Sequence, residues 1–428
     1  MGSERRGHVI LGLNVLVLGY VPSAWQTELL DPLDPVRADY WRRIGALAER
    51  ATLDAVFLAD SPSLSDPSYD AGATRLDPTI IWSTVARATS RVGLIATAST
   101  TFNDPVEFAR RLLTLDHVSA GRAGWNVVTS RHPGVAENFG LPAHIARDDR
   151  YARADEFVDV VTGLWDSTRT GDRLRHEGEH FRVDDALALP SSAQGRPVIV
   201  QAGGSDQGRR LAGRVADAVF SAELTPQSAR AHYREVRDHA VAAGRAADSV
   251  SILPGLLLTL GSTEEEARRR SDELHEQGPP AYATAWLSQA IGYDVAGLAL
   301  DEPFPDDVLA EPADPAAFTG SIGFRQSIVE RIRQDRPTVR EYLRETRYTG
   351  SGHGGFTGTP EGLVDRIESW YRTGAADGFN LQPDRLIDGL EVIADEVIPL
   401  LRRRGLFRED YETETLRGHL NAAQGSAS

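Results

Sequence analysis

Eight short apolar runs, each followed by a segment with helical spacing, constrain the fold of this chain more than any other feature. The predicted strands are Val9–Leu18, Ala55–Ala59, Val92–Ala98, Ala123–Val128, Val198–Gln201, Ala218–Ser221, Val250–Leu260 and Gly378–Gln382. Most are apolar on both faces, which is typical of parallel strands that helices cover. Eight strand–helix units in one chain predict an α/β fold, a (β/α)₈ TIM barrel.

The segments that do not fit a bare barrel are expected to be insertions. We predict one barrel domain over residues 1–412, with insertions at about 61–76, 166–197 and 277–358, and a flexible C-terminal tail at 413–428. The second insertion is expected to form a hairpin, and the third to contain a helix near Ser327–Arg333. Because insertions in a barrel usually build its C-terminal, active-site face, these segments are expected to decide substrate specificity.

Composition excludes several kinds of chemistry. All 46 basic residues are arginine and there is no cysteine, so lysine Schiff bases, a Walker A lysine, thiol nucleophiles and disulfides are excluded. A net charge of −16 argues against nucleic acid or an anionic membrane as partner. Arg5 and Arg6 before the apolar run Val9–Val21 imitate a signal peptide, but Asn14 interrupts the run. A first barrel strand is the better interpretation, and a cytoplasmic location is expected.

Polar residues collect at the ends of five predicted strands, where a barrel carries its catalytic groups. They are Asp60, Thr97, Ser99, Thr100, Thr101, Asn103, Asn126, Thr129, Ser130, Gln201, Gly203, Gly204, Ser205, Asn380 and Gln382. Each alone is explained equally well as the cap of the next helix. Together, around one rim, they predict a polar ligand.

The segment VIVQAGGSDQG at 198–208 is the sharpest local signal. A buried strand runs through a glycine-rich turn into a helix, so free backbone N–H groups and the helix dipole favour an anion there. Ser205 occupies the place of the second glycine of the dinucleotide fingerprint, which the segment therefore misses. A phosphate held near Ser205 is one interpretation, and a plain tight turn is the other.

The segment HEGEH at 176–180 matches the HExxH zinc pattern, in which two histidines one helical turn apart bind the metal. The pattern requires a continuous helix, whereas Gly178 lies in its middle and the flanking residues have no helical apolar stripe. We expect a surface hairpin and no metal site, with a zinc hydrolase retained as an alternative.

Several longer strings carry a family resemblance. They are FLAD at 57–60, TASTTFNDP at 97–105, SAGRAGWNVVTS at 119–130, DRYARADEF at 149–157, GRPVIVQAGGSDQGRRLA at 195–212, GTPEGLVDRIESWYRTGAADGFNL at 358–381 and VIPLLRRRGLF at 397–407. In these strings the chain resembles the bacterial-luciferase-like flavin-dependent monooxygenases. The likeness is to the branch with nitrilotriacetate monooxygenase component A, dibenzothiophene-sulfone monooxygenase and pristinamycin synthase. It spans nearly the whole chain.

The resemblance implies a (β/α)₈ barrel that binds reduced FMN and uses O₂ to oxygenate a small organic substrate through a flavin (hydro)peroxide. It implies a separate NAD(P)H-dependent flavin reductase as supplier of reduced FMN, and a homo-oligomer, either dimer or tetramer. A deazaflavin-dependent oxidoreductase on the same barrel remains the alternative, since one fold supports several chemistries.

The resemblance also implies site residues. Carried over by position, the cofactor-binding set is Asp60, Ser99, Thr100, Thr101, Asn126, Val128, Arg147, Tyr151, Gly204 and Ser205. Two positions depart from the family pattern, which often has a histidine at 147 and tends to have serine at 204. Arg147 is then either a bidentate phosphate donor or a surface arginine.

Candidate catalytic residues are Asn126 and His353. His353 lies in GSGHGGFTGTP at 350–360, and related enzymes have a histidine near this position facing the flavin. It is expected to donate a hydrogen bond or transfer a proton, unless the segment is simply a glycine-rich linker. Tyr20, Trp25 and His353 are expected to line the substrate pocket, with ordinary packing as the alternative for the two aromatic residues.

Overall fold

The structure is a computed structural model, and it confirms the predicted barrel. It describes residues 7–16, 18–21, 23–24, 31, 33–60, 62, 76–130, 133–141, 145–276, 280–310, 318, 322–346 and 353–424. The strands are β1 (Ile10–Val15), β2 (Ala55–Leu58), β3 (Gly93–Ser99), β4 (Ala123–Val128), β5 (Leu174–Glu177), β6 (Arg182–Asp185), β7 (Val198–Gln201), β8 (Ala218–Ser221), β9 (Ser251–Leu260), β10 (Gly354–Gly358) and β11 (Gly378–Pro383).

Helices alternate with these strands along the chain. They are α1 (Ala38–Arg50), α2 (Pro78–Ala86), α3 (Pro105–Val118), α4 (Pro133–Asn138), α5 (Arg147–Thr170), α6 (Asp206–Val215), α7 (Pro226–Ala242), α8 (Glu264–Glu276), α9 (Pro280–Ile291), α10 (Ile322–Asp335), α11 (Val339–Thr346), α12 (Pro360–Arg372), α13 (Leu386–Val392), α14 (Ile398–Arg403) and α15 (Leu416–Ala423). Two helices have an aspartate cap: the carboxylates of Asp77 and Asp104 accept backbone N–H groups in the first turns of α2 and α3. No helix in the described ranges is long and apolar enough to cross a membrane.

Eight parallel strands close the barrel in the order β1-β2-β3-β4-β7-β8-β9-β11, and β11 pairs with β1. Closure on the far side comes from β8 and β9, where Ala218 pairs with Ser251 and Ser221 with Pro254. Residues alternate along each strand between the barrel interior and the outer core beneath the helices. Both faces are therefore buried, which explains the uninterrupted apolar runs in the sequence.

Strand β10 was not predicted, because residues 277–358 were assigned to a glycine-rich insertion. Gly354–Gly358 pairs in parallel with Leu256–Leu260, the upper half of β9, above the point where β8 ends. Only Phe356 in GGFTG has a large apolar side chain, so no strand pattern is visible locally. The strand forms because β9 is ten residues long and its upper half offers an unpaired edge.

The three predicted insertions differ in how much of them the structure describes. Residues 63–75 of the first lie outside the described residues. The second contains the predicted hairpin, β5 paired antiparallel with β6. The third contains α9, α10 and α11, so the predicted helix is present, and these helices enclose a small core of their own. That core includes Leu287, Ile291, Phe304, Ile328, Ile332 and Tyr342.

The prediction of a flexible tail is wrong for residues 416–423, which form α15. Leu416 and Leu420 are buried together with inward-facing side chains of β1, β2 and β3. A Cβ atom at Gly93 or Gly124 would meet the Leu416 side chain, at 2.5 and 3.1 Å respectively. Helix α15 therefore closes the N-terminal end of the barrel. Residues 425–428 lie outside the described part.

Two buried histidines give the stability of the fold a pH dependence. Burial lowers the pKa of His353 and of His419 to about 4, whereas an unfolded histidine titrates near 6.5. Between these values the unfolded chain binds more protons than the native one, so stability is full above pH 6.5 and falls as the pH drops towards 4.

We expect the unfolding free energy to fall by up to about 1.4 kcal/mol per pH unit for each histidine across this window. Urea unfolding of wild type and of His419→Gln between pH 4 and 7.5 measures it. The variant should lose about half of the histidine-dependent slope. Identical slopes for the two proteins would show that folding does not lower the pKa of His419.

Candidate functional site

Amide side chains line the barrel interior near the carboxyl ends of the strands. Leu13 and Val15 of β1 pack in the outer core, so Asn14 between them faces inward. The same alternation turns Asn380 and Gln382 of β11 inward, because Phe379 and Leu381 lie in the outer core. Further inward positions on this level are Thr97 of β3 and Asn126 of β4. All five side chains are at most 4% exposed.

Each of these four amide side chains has at least one polar atom without a hydrogen-bond partner among the described residues. Asn126 Nδ2 donates to Thr97 Oγ1 at 3.1 Å, but Asn126 Oδ1 has no partner. Asn14 Oδ1, Asn380 Oδ1 and both amide atoms of Gln382 are likewise unpartnered. Buried polar groups in folded proteins are almost always hydrogen-bonded. The interior at this level therefore has the character of a binding site for a polar ligand.

The ends of β3 and β4 bring together Ser99, Thr100 and Thr101, three residues of the predicted cofactor-binding set. The Thr100 N–H donates to the Val128 carbonyl at 2.9 Å, and Thr101 Oγ1 donates to the Thr129 carbonyl at 2.7 Å. The Thr101 N–H donates to Ser99 Oγ at 3.2 Å. Ser99, Thr100 and Thr101 are buried, and these bonds fix the positions of their side chains at the rim.

Arg150 is a residue that sequence reasoning missed. Its guanidinium donates to the Ser130 carbonyl at 2.7 Å, and Ser130 Oγ in turn donates to Ser99 Oγ at 2.8 Å. Ser130 has φ of +44°, a left-handed conformation that is uncommon for a residue other than glycine. Arg150 precedes Tyr151 in α5, so it connects the β3–β4 rim to the helix that carries Tyr151. The sequence offered one signal for Arg150, its position beside Tyr151 in the family string DRYARADEF.

Ser205 and Tyr151, also from the predicted cofactor-binding set, lie in contact. Ser205 caps α6, where its Oγ accepts the Gly208 N–H, and its hydroxyl is hydrogen-bonded to the Tyr151 hydroxyl at 3.2 Å. Gly203 must lack a side chain here, because a Cβ would lie 3.1 Å from the Tyr151 hydroxyl and 2.5 Å from Gln201 Nε2. The helix N-terminus, two hydroxyls and a bare backbone form a site with the donors that an anion requires.

Gly204 and Arg147 are two further residues of the predicted cofactor-binding set. Gly204 lies between Gly203 and Ser205, and its carbonyl accepts a hydrogen bond from the Arg209 guanidinium. Arg209 also forms an ion pair with Glu235 at 2.9 Å. Arg147 is the first residue of α5, but its side chain lies outside the described part of the structure. The choice between a phosphate donor and a surface arginine therefore stays open.

His353 is buried directly before β10. It stacks on Phe220 of β8, with ring centroids 4.5 Å apart, and meets Phe324 of α10 edge-on at 5.4 Å. A Cβ at Gly255 would lie 2.6 Å from His353 Nδ1, so the glycine of β9 makes room for the ring. With a pKa of about 4 because of burial, the imidazole is neutral at pH 7. Its one N–H donates to the Ser221 backbone, and its Nδ1 has no partner among the described residues, so Nδ1 can accept a hydrogen bond.

Two further residues of the predicted site, Asp60 and Tyr20, follow the ends of β2 and β1. Asp60 follows β2 by two residues and is partly exposed. Tyr20 is buried, and its backbone N–H donates to the Pro383 carbonyl at 3.1 Å, which places the segment after β1 over the end of β11. Trp25 lies outside the described residues.

The HEGEH segment is not a helix. His176 and Glu177 are in β5, and His180 lies in the connection to β6. His176 Nε2 is hydrogen-bonded to Glu156 at 2.9 Å, and Glu156 also accepts the backbone N–H groups of His180 and Phe181. The part of the chain described here contains no group of three acidic or histidine residues arranged to hold a metal ion. The hairpin prediction is confirmed.

A rim of polar residues around a closed eight-stranded parallel barrel defines the class of protein, a barrel enzyme with its site at the carboxyl ends of the strands. Residues 22–377 match the family described as luciferase-like monooxygenase, and the chain belongs to this family. This match confirms the resemblance inferred from the sequence. Together with the relatives below, it identifies the protein as a flavin-dependent monooxygenase.

Relatives of known activity match over nearly their whole length. N-acetyl-S-(2-succino)cysteine monooxygenase of Bacillus subtilis is 37% identical, over 97% of each chain. Nitrilotriacetate monooxygenase component A of Aminobacter aminovorans is also 37% identical, over 99% of this chain and 98% of the relative. The structure of EDTA monooxygenase from Chelativorans sp. BNC1 superposes with a TM-score of 0.80 at 31% identity, covering 97% of this chain and 99% of that one. These relatives favour neither the deazaflavin nor the zinc alternative.

Proposed function

We propose that this chain is the oxygenase component of a two-component monooxygenase. It takes reduced FMN from a separate NAD(P)H-dependent flavin reductase, and it uses O₂ to oxygenate a small organic substrate. The observation that carries the proposal is the pairing, at one rim, of unpartnered buried amides with the Tyr151–Ser205 site at the start of α6. The relative named as a component A supports the two-component arrangement.

The residues present fit a flavin nucleotide. Tyr151, Ser205, the backbone at Gly204 and the guanidinium of Arg147 are proposed to hold the phosphate, because hydroxyls and a helix N-terminus donate to an anion. The ring system is proposed to lie against the β3–β4 rim and β2. Its neighbours would be Asp60, Ser99, Thr100, Thr101, Asn126 and Val128. The unpartnered Asn126 Oδ1 supports this assignment, since a bound ring N–H would satisfy it.

Bound reduced flavin would supply the electrons that activate O₂. The protein orients the flavin ring and excludes water from the site. Asn126, held by its hydrogen bond to Thr97, is proposed to orient the reacting edge of the ring. The substrate pocket is proposed to include Tyr20, Trp25 and His353. The Ser221 backbone already accepts the one N–H of the neutral His353 imidazole. Its unpartnered Nδ1 is therefore proposed to accept a hydrogen bond from the substrate, beside two aromatic rings that exclude water.

The test of this function has a binding step and a turnover step. Purified protein is titrated anaerobically with reduced FMN and, in parallel, with reduced deazaflavin. It is then mixed with a flavin reductase, NADH, ¹⁸O₂ and a panel of nitrilotriacetate, EDTA and N-acetyl-S-(2-succino)cysteine. We expect preference for reduced FMN and ¹⁸O in a product. Preferential deazaflavin binding, or flavin oxidation with no labelled product in an extended panel, would contradict the proposal.

Replacing His353 tests its proposed role. His353→Phe keeps a ring that can stack on Phe220 but removes both ring nitrogens, including the unpartnered Nδ1. We expect reduced-FMN affinity to change by less than about threefold, while the ratio of product formed to flavin oxidised falls about tenfold, as for one lost hydrogen bond at a reacting centre. The matched control is His117→Phe, an exposed residue on α3. Unchanged coupling in His353→Phe would exclude the role.

A homo-oligomer, dimer or tetramer, is proposed from the family resemblance. Size-exclusion chromatography with light scattering measures the mass directly. A species of 46.6 kDa at micromolar concentration would be the monomer and would contradict the proposal.

A further inference from the structure

Two adjacent strands, β11 and β1, present three inward amides that the proposed flavin contacts do not use. The pairing of Leu13 with Leu381 puts Asn14 beside Gln382, and Gly12 pairs with Asn380 one step lower. Gly12 makes room for this arrangement, because a Cβ there would lie 2.8 Å from Asn380 Oδ1. Gln382 is fully buried, and the two asparagines are 2% and 4% exposed.

Three buried polar atoms of Gln382 and Asn14 have no hydrogen-bond partner in the part of the chain that the structure describes, which is unusual in a folded protein. Gln382 leaves both Oε1 and Nε2 without a partner in the described residues, and Asn14 leaves Oδ1 without one. The buried amide of Gln194 is a contrast: its Nε2 donates to Asp116 Oδ1 at 2.7 Å and to the Ala123 carbonyl at 2.8 Å, and its Oε1 accepts the Arg417 N–H at 3.1 Å. A buried amide without partners is costly by about 1–3 kcal/mol per group, so the pair on β11 and β1 is expected to bind a ligand.

The chemistry of a primary amide indicates which ligand group fits. An amide offers one acceptor oxygen beside one donor nitrogen, which is complementary to the adjacent N–H and C=O of a cyclic imide. The two groups then form a pair of parallel hydrogen bonds. A second amide alongside provides a contact for the other imide carbonyl. Carboxylates and phosphates, which only accept, leave Gln382 Oε1 unsatisfied and fit less well.

We propose that Gln382, with Asn14 beside it, binds the imide edge of the flavin ring, the C2=O, N3–H and C4=O groups. The assignment rests on the proposed function, because the ligand is its cofactor. Gln382 Nε2 donates to one ring carbonyl, and Gln382 Oε1 accepts the N3–H. The phosphate site at Ser205 and the amide pair on β11 and β1 then fix the two ends of the cofactor on different strands.

The test compares FMN with 3-methyl-FMN, in which a methyl group replaces the N3 hydrogen. Affinities are measured by fluorescence titration with the oxidised flavins, so no turnover is needed. Wild type is expected to bind FMN about tenfold more tightly than 3-methyl-FMN. Gln382→Leu is expected to lower FMN affinity about tenfold, as for the loss of two neutral hydrogen bonds, and to bind both flavins about equally.

A control at the opposite end of the barrel separates recognition from packing. Gln424 Nε2 donates to Ser251 Oγ at 2.7 Å, and Gln424→Leu should leave both affinities within about twofold of wild type. If it lowers FMN affinity as much as Gln382→Leu does, the assignment is wrong. If Gln382→Leu does not fold, the wild-type comparison of the two flavins and the variant Asn14→Ala decide.

The outcomes also distinguish this inference from the proposed function. If wild type binds neither flavin, in oxidised or anaerobically reduced form, the proposed function fails. If it binds FMN and 3-methyl-FMN equally well, the flavin function stands and the imide assignment is overturned. Infrared spectra of bound FMN add a direct signature: the carbonyl stretches should move to lower frequency in wild type and return towards the free values in Gln382→Leu.

Discussion

Arg408→Leu is expected to lower the unfolding free energy by about 3–5 kcal/mol, the range for breaking one side of a buried ion pair. Arg408 Nη1 and Asp54 Oδ1 are 2.6 Å apart, and both side chains are at most 2% exposed. Asp54 Oδ2 also accepts the Leu11 N–H at 2.7 Å, while Arg408 Nη2 donates to the Thr52 carbonyl at 2.6 Å. Removing the cation leaves a buried carboxylate without its counter-charge.

The location of this pair explains why its loss is expected to affect the whole domain. Asp54 directly precedes β2, Leu11 is in β1, and Arg408 follows α14 near the end of the chain. The pair therefore connects the segment after α14 to the N-terminal end of the barrel. In this fold that face contributes to stability, whereas the opposite face carries the site. Flavin binding at the opposite end should change little in the folded variant.

Urea unfolding at pH 7.5 measures the effect. Arg42→Leu is the matched control, because Arg42 and Asp39 form an ion pair at 2.9 Å with half or more of each side chain exposed. That variant should lose no more than about 0.5 kcal/mol. The double variant Asp54→Leu/Arg408→Leu should recover part of the loss, since no unpaired charge remains. A loss below about 1 kcal/mol in Arg408→Leu would show that water reaches the pair.

The barrel strands were predictable because each is buried on both faces. Val198–Gln201 and Ala218–Ser221 each have three consecutive apolar residues before a polar last one, a pattern that distinguishes them from the amphipathic helices around them. Strand β10 was not predictable, because GGFTG gains its stability from the edge of β9 rather than from its own side chains. Likewise, the burial of α15 depends on a cavity that exists only once the barrel has closed.

The sequence predicted which polar residues lie at the strand ends of the site. It did not predict the hydrogen bonds that these residues form or lack. Ser99 and Thr101 were expected at one rim, and the structure brings them together. The role of Arg150 depends on the left-handed conformation of Ser130, which no sequence pattern shows. Asn14 was recognised only as an interruption of an apolar run. Its inward direction follows from the alternation of β1, and its lack of a partner from the packing around it.

Ser205→Asp is expected to reduce FMN affinity by about 100-fold or more if the proposed phosphate site is correct. Aspartate caps a helix as well as serine does, so α6 should keep its N-terminus. The new carboxylate would lie where the proposal puts a phosphate of charge about −1.5 to −2. At about 4 Å and an effective dielectric constant of about 20, each pair of like charges is unfavourable by about 4 kcal/mol before screening by salt.

Riboflavin is the matched probe, because it has the same ring and lacks the phosphate. Ser205→Asp should bind riboflavin within about threefold of wild type, so the ratio of FMN to riboflavin affinity should collapse. Ser205→Ala, which removes the hydroxyl bonded to Tyr151 without adding charge, should lose only about tenfold for FMN. Equal losses for both flavins in Ser205→Asp would indicate damage to the helix cap. Unchanged FMN affinity would contradict a phosphate site at Ser205. The orientation of the flavin, with its phosphate at Ser205 and its imide edge at Gln382, would then be wrong.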